Sequence, residues 1–126
     1  MSHLPLIFQV VLNQVQLQTI DRLRNDLADM IIEVNEISVC NRKLLGVELS
    51  KIALDFRELI GNANTKGYKW NSYVLRMAIL KINYIATILK QEDLRPYNKL
   101  INKLVKSEIL LNEILYECFN ENQSHE

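Results

Sequence analysis

The sequence predicts an all-α domain folded as an antiparallel up-down four-helix bundle. Apolar residues recur at three- and four-residue spacing in four separate segments. Glycine and proline together number five in 126 residues, so the chain has few breaks. The links between the periodic segments are short, which makes antiparallel neighbours the default. The length suits one domain with its own core. An apolar content of 48% with 24% charged residues is a globular composition. Residues 1–16 are read as an N-terminal arm or an early helix, 17–120 as the bundle, and 121–126 as a frayed acidic tail.

The first helix spans about Leu17 to Val34, with Ile20, Leu23, Leu27, Met30, Ile31 and Val34 on one face. Upstream, "LPLIFQVVLNQVQ" mixes β-branched residues with glutamines and fits either an extended arm or an added helical turn. "NEISVCNRK" reads as a loop. The second helix spans about Lys43 to Asn62, with Leu45, Leu49, Ile52, Ala53, Phe56, Leu59 and Ile60 facing inward. On its outer face Lys51 stands four residues before Asp55, the spacing of an exposed pair. Gly61, Asn62, Asn64 and Gly67 end it.

The third helix, about Trp70 to Lys90, carries only one narrow polar strip of Ser72, Arg76, Asn83, Thr87 and Lys90. A helix apolar over most of its circumference needs more than one packing neighbour. It is either the central helix of the bundle or a subunit interface. In the second case Trp70, Tyr73, Met77, Ile79, Leu80 and Tyr84 form the contact. "QEDLRP" is a turn that Asp93 can cap, and Pro96 fits a first helical turn. The fourth helix spans about Arg95 to Cys118, with Leu100, Leu104, Leu111, Leu115 and Cys118 on one face.

Two cysteines, Cys40 and Cys118, do not make a disulfide scaffold, and they fit a reducing, cytoplasmic compartment. The N-terminus lacks the basic start of a signal peptide. No run reaches the ~18 apolar residues of a membrane span. The two histidines, His3 and His125, sit near the termini, which argues against a His-centred triad or a His/Cys zinc site. There is no glycine-rich phosphate loop. Asp55 and Glu58 lie one turn apart and could hold a metal, but a solvated face explains them more simply. The expectation is a protein that is not an enzyme and that uses no cofactor or metal.

Net charge is zero, yet it is unevenly distributed. Residues 1–41 carry two cations and five acids, 42–106 thirteen cations and five acids, and 107–126 five acids alone. Within the basic block, Arg95, Lys99, Lys103 and Lys106 fall in one arc of ~80°, opposite the leucines of the fourth helix. No acid on that helix shares their strip, so a partner bearing phosphates would relieve their mutual repulsion. Arg42, Lys43, Lys66 and Lys69 at loop edges would extend such a patch. Tyr68 and Trp70 could stack on bases, although packing also accounts for them. Lys81 and Glu108 intrude on apolar faces; they either pair with each other or each snorkel at the edge of its packing surface.

Three stretches carry a resemblance. "RKLLGVELSKIALDFRELIGNAN", "LRMAILKINYIATILK" and "PYNKLINKLVKSEILLNEIL" resemble the second, third and fourth helices of the four-helix-bundle proteins encoded in 23S ribosomal RNA intervening sequences. The same superfamily includes the accessory variability proteins of diversity-generating retroelements. Leu45-Gly46, Ala53-Leu54-Asp55, Glu58-Leu59-Ile60 and Ala63-Asn64 fit its pattern, over roughly residues 42–116. "SVCNRK" and "LYECFN" depart from it, as does the neutral total charge. The resemblance implies a homo-pentamer without catalytic activity that binds RNA or DNA and docks on a reverse transcriptase. The alternative function is a protein–protein module of immunity, antitoxin or phage type, using the third helix and the N-terminal arm.

Overall fold

The computed structural model describes residues 8–36, 42–63, 70–91 and 98–124. Its elements in chain order are β1 (Gln9–Val10), α1 (Gln14–Glu36), α2 (Arg42–Ala63), β2 (Trp70–Asn71), α3 (Tyr73–Gln91) and α4 (Asn98–Ser124). The protein is an all-α four-helix bundle with one small strand pair at its end. The α1–α2 and α3–α4 hairpins make the broadest contacts, and α1–α4 and α2–α3 contacts close the ring. Gln16, early in α1, meets Glu117, late in α4, while Glu33, late in α1, meets Lys103, early in α4. Those two helices therefore run antiparallel.

The periodic apolar residues converge on one core. From α1 it takes Ile20, Leu23, Leu27, Met30 and Val34; from α2, Leu45, Leu49, Ile52, Phe56 and Leu59. From α4 come Leu100, Leu104, Leu111, Leu115 and Cys118, all facing inward as their spacing requires. Each large side chain removed from water contributes roughly 1.5–3 kcal/mol before entropy is charged against it. At the α1–α2 junction a Cβ on Gly46 would stand 3.2 Å from Asn35 Oδ1, so glycine lets the first turns of α2 lie close to the end of α1. No helix among the described residues is long and apolar enough to cross a membrane.

The start of α1 lies three residues before the apolar periodicity begins. Asn13 and Gln16 form a reciprocal cap. The Asn13 side chain accepts from Gln16 N at 2.8 Å, and the Gln16 side chain accepts from Asn13 N at 2.9 Å. Gln16 is itself buried, and its Nε2 donates to Glu117 Oε2 at 2.9 Å. The segment before it is extended, because β1 pairs antiparallel with β2, Gln9 opposite Asn71 and Val10 opposite Trp70. The described part of the N-terminal region is thus an arm up to Asn13. Phe8 packs edge-on against Phe119 at 5.5 Å, which ties the arm to the end of α4.

Ser72 is a second departure from the helical-wheel reading. It is fully buried, not part of a solvent strip. Its carbonyl accepts the first helical bond of α3 from Arg76 N, at 3.0 Å. Its amide donates to Phe8 O and its hydroxyl accepts from Phe8 N, each at 2.9 Å. A serine at an N-cap position is favoured because it serves backbone groups the helix leaves open. Here those groups belong to the arm. Consequently α3 begins at Tyr73, and Trp70 belongs to β2. At the other end α4 continues to Ser124, through most of the stretch expected to fray.

Candidate functional site

Two outward surfaces hold the residues the sequence singles out. The first is on α3. Taking Tyr73 as 0°, Met77 falls at ~40°, Leu80 at ~340° and Tyr84 at ~20°, while the buried residues of the helix centre on ~180°. Tyr73 is 53% exposed, Leu80 62% and Tyr84 58%, and Met77 is half-buried. Their spacing of four, three and four places them in one line along α3. Ile79 does not belong with them. It falls at ~240° and is buried in the bundle's own core, so it is no interface residue of this face. The side chain of Trp70 lies outside the described residues.

Beside this stripe, towards α2, lies a shallow apolar depression lined by Glu48, Leu80, Lys81, Tyr84 and Ile85. Glu48 holds Lys81 at 3.5 Å and Lys51 at 3.4 Å. Both contacts correct expectations. Lys51 turns back three residues to Glu48 and not forward to Asp55. Lys81 pairs with α2 and not with Glu108, whose carboxylate accepts a bond from Asn83 Nδ2 at 3.2 Å.

The second surface is the lysine row of α4. Lys99, Lys103 and Lys106 are all exposed on the outer side of the helix. Arg95, Lys66, Lys69 and Tyr68 lie outside the described residues, and Arg42 and Lys43 open α2 with their side chains outside the description. The row therefore comes together as three cations in the described structure. It is not free of acids. Lys103 Nζ donates to Glu33 Oε1 of α1 at 2.6 Å. That hydrogen bond raises the Lys103 ammonium above the ordinary lysine range. Partial loss of water opposes it, and the charges of Glu33, Asp29 and Asp26 add to it.

Glu33 lies on a different helix from the lysine row, although a sequence signal for it exists. Asp26, Asp29 and Glu33 are spaced three and four on α1. Read backwards, Lys106, Lys103 and Lys99 have the same spacing on α4. In an antiparallel pair such rows run side by side. Part of the negative charge beside the lysine row is therefore supplied by the chain itself. Lys99 and Lys106 make no ion pair among the described residues.

Asp55 and Glu58 are both exposed on α2, and no group of three or more metal-ligating side chains gathers among the described residues. Cys118 is a buried thiol whose Sγ lies 3.8 Å from Gln16 Oε1. Compared with protein families, curated proteins and solved structures, the chain matches none.

Proposed function

We propose that this chain is a non-catalytic helical-bundle protein that works by assembly, with the outer face of α3 as its contact surface. One observation carries the reading: Tyr73, Met77, Leu80 and Tyr84 stand in line on the side of α3 farthest from the core, and three of the four are more than half exposed. Grouped large apolar side chains facing water mark interaction sites, whereas isolated ones need no explanation. The resemblance to intervening-sequence and retroelement accessory proteins supports an oligomeric, non-enzymatic role.

Light scattering over a dilution series tests it. The wild-type chain should assemble, and Leu80→Lys should leave single folded chains. A wild-type mass of one chain throughout, or an assembly untouched by Leu80→Lys, sinks the proposal.

A second reading, binding of RNA or DNA phosphates, is favoured by Lys99 and Lys106, exposed cations without an ion-pair partner among the described residues. Such contacts position a nucleic acid without reading its sequence. Docking on a reverse transcriptase would then add a protein partner. Affinity for single- and double-stranded probes that falls as salt rises supports this reading, and binding that salt does not alter removes it.

A further inference from the structure

We infer that Glu33 is a built-in competitor for the basic face of α4: its carboxylate holds the place at Lys103 that a nucleic-acid phosphate would take. The inference rests on the second reading above, phosphate binding at the lysine row, and adds how that site is regulated. Lys103 Nζ donates to Glu33 Oε1 at 2.6 Å, a short charge-assisted bond between two side chains that are each more than a third exposed. The same ammonium is therefore within reach of a partner in solvent and already bound to an anion of its own chain.

The three described lysines of the row are not equivalent. Taking Lys103 as 0°, Lys99 falls at ~320° and Lys106 at ~300°. Lys99 and Lys106 thus stand nearly in one line, seven residues or about 10.5 Å apart along the axis. Lys103 is turned from that line towards α1, where it meets Glu33. On α1, Asp26, Asp29 and Glu33 follow helical spacing, and Asp26 and Asp29 are exposed. All three carboxylates act electrostatically on the Lys103 ammonium.

An ammonium has three N–H groups, so hydrogen bonding alone leaves room for a phosphate beside Glu33. The charge is what excludes it. A phosphate at Lys103 would meet three carboxylates around one cation. At Lys99 or Lys106 it meets a cation with no ion-pair partner among the described residues. A nucleic-acid backbone on this face therefore follows the line of Lys99 and Lys106, and it gains Lys103 only when Glu33 is neutralised or displaced. Removing the Glu33 charge adds one phosphate contact.

Fluorescence anisotropy with a labelled single-stranded RNA, repeated with DNA of the same sequence, tests this. Glu33→Gln should bind about two- to fivefold tighter than wild type at low salt, the span of an exposed pair's coupling. Its plot of log affinity against log salt should steepen by about 0.7 on both probes, because the contact is to phosphate. In a Lys103→Met background the same change should gain no more than Glu58→Gln does. Glu58 is exposed on α2, across the ring from α4, and controls for the lost charge alone. A gain from Glu58→Gln equal to that from Glu33→Gln, or a full gain without Lys103, overturns the competition while leaving nucleic-acid binding intact. Binding by neither wild type nor Glu33→Gln overturns both.

Discussion

The outer faces of α3 and α4 are built on the same helix geometry and reach opposite ends. Inward, each presents leucine and isoleucine to one core. Outward, α3 shows Tyr73, Leu80 and Tyr84, while α4 shows Lys99, Asn102, Lys103 and Lys106. The charged face has found part of its complement inside the molecule, because long side chains reach across a helix pair: Lys103 to Glu33 spans α4 and α1. The apolar face cannot be answered that way. It lies on the side of α3 away from the core, with Leu80 and Tyr84 edging the depression beside Glu48 of α2. A charged ridge is therefore weak evidence for a partner, and an apolar ridge opposite the core is stronger evidence.

The comparison breaks first if the inward faces are not equivalent. Leu89→Ala on α3 and Leu104→Ala on α4 each remove a fully buried side chain. Each should cost about 2–5 kcal/mol in urea denaturation. A loss below about 1 kcal/mol for either would show that one helix is peripheral to the core.

Leu80→Lys separates fold from assembly. Its effect on the stability of the single chain should stay within about 0.5 kcal/mol. Its effect on association should reach about 2 kcal/mol, some thirtyfold. Thermal melts and dilution light scattering measure the two parts.

On the charged face, the quantity to measure is salt dependence. If nucleic acid binds there, Lys99→Ala and Lys106→Ala should each lower the slope of log affinity against log salt by about 0.7–0.9. Unchanged slopes would leave α4 as a solvated face.

The smallest effect belongs to the Lys103–Glu33 pair, which is half exposed and screened, so Lys103→Met should cost less than about 1 kcal/mol. Its pH dependence has a definite sign. The folded-state pKa of Lys103 is raised, so its contribution is fully present below the ordinary value of 10.5. It is lost as pH climbs through the higher folded value. Melts of wild type and Lys103→Met should therefore converge as pH is raised through the lysine range, and curves that stay parallel contradict the pairing.

The arm shows a limit of local pattern. "NQVQ" contains a usable cap signal, asparagine followed three residues later by glutamine, yet apolar periodicity alone starts the helix at Leu17. Ser72 looked like a surface residue because a helical wheel assumes that every position belongs to the helix. It is the cap, and its other bonds go to Phe8, 64 positions away. Ile79 looked available for a partner because α3 is apolar almost all round. Its direction relative to α2 and α4 removes it from the outer face.

By itself the sequence determined that there are four helices and which residues of α1, α2 and α4 turn inward, because burial repeats every 3.6 residues within a segment and needs no knowledge of the neighbours. Tertiary structure alone decided which helices lie side by side. It thereby decided that Glu33 meets a lysine 70 residues away, that Lys81 turns to Glu48, and that Leu80 and Tyr84 stand more than half exposed. The reason is physical. Periodicity sets the direction of a side chain about its own helix axis, and only packing sets what stands in that direction.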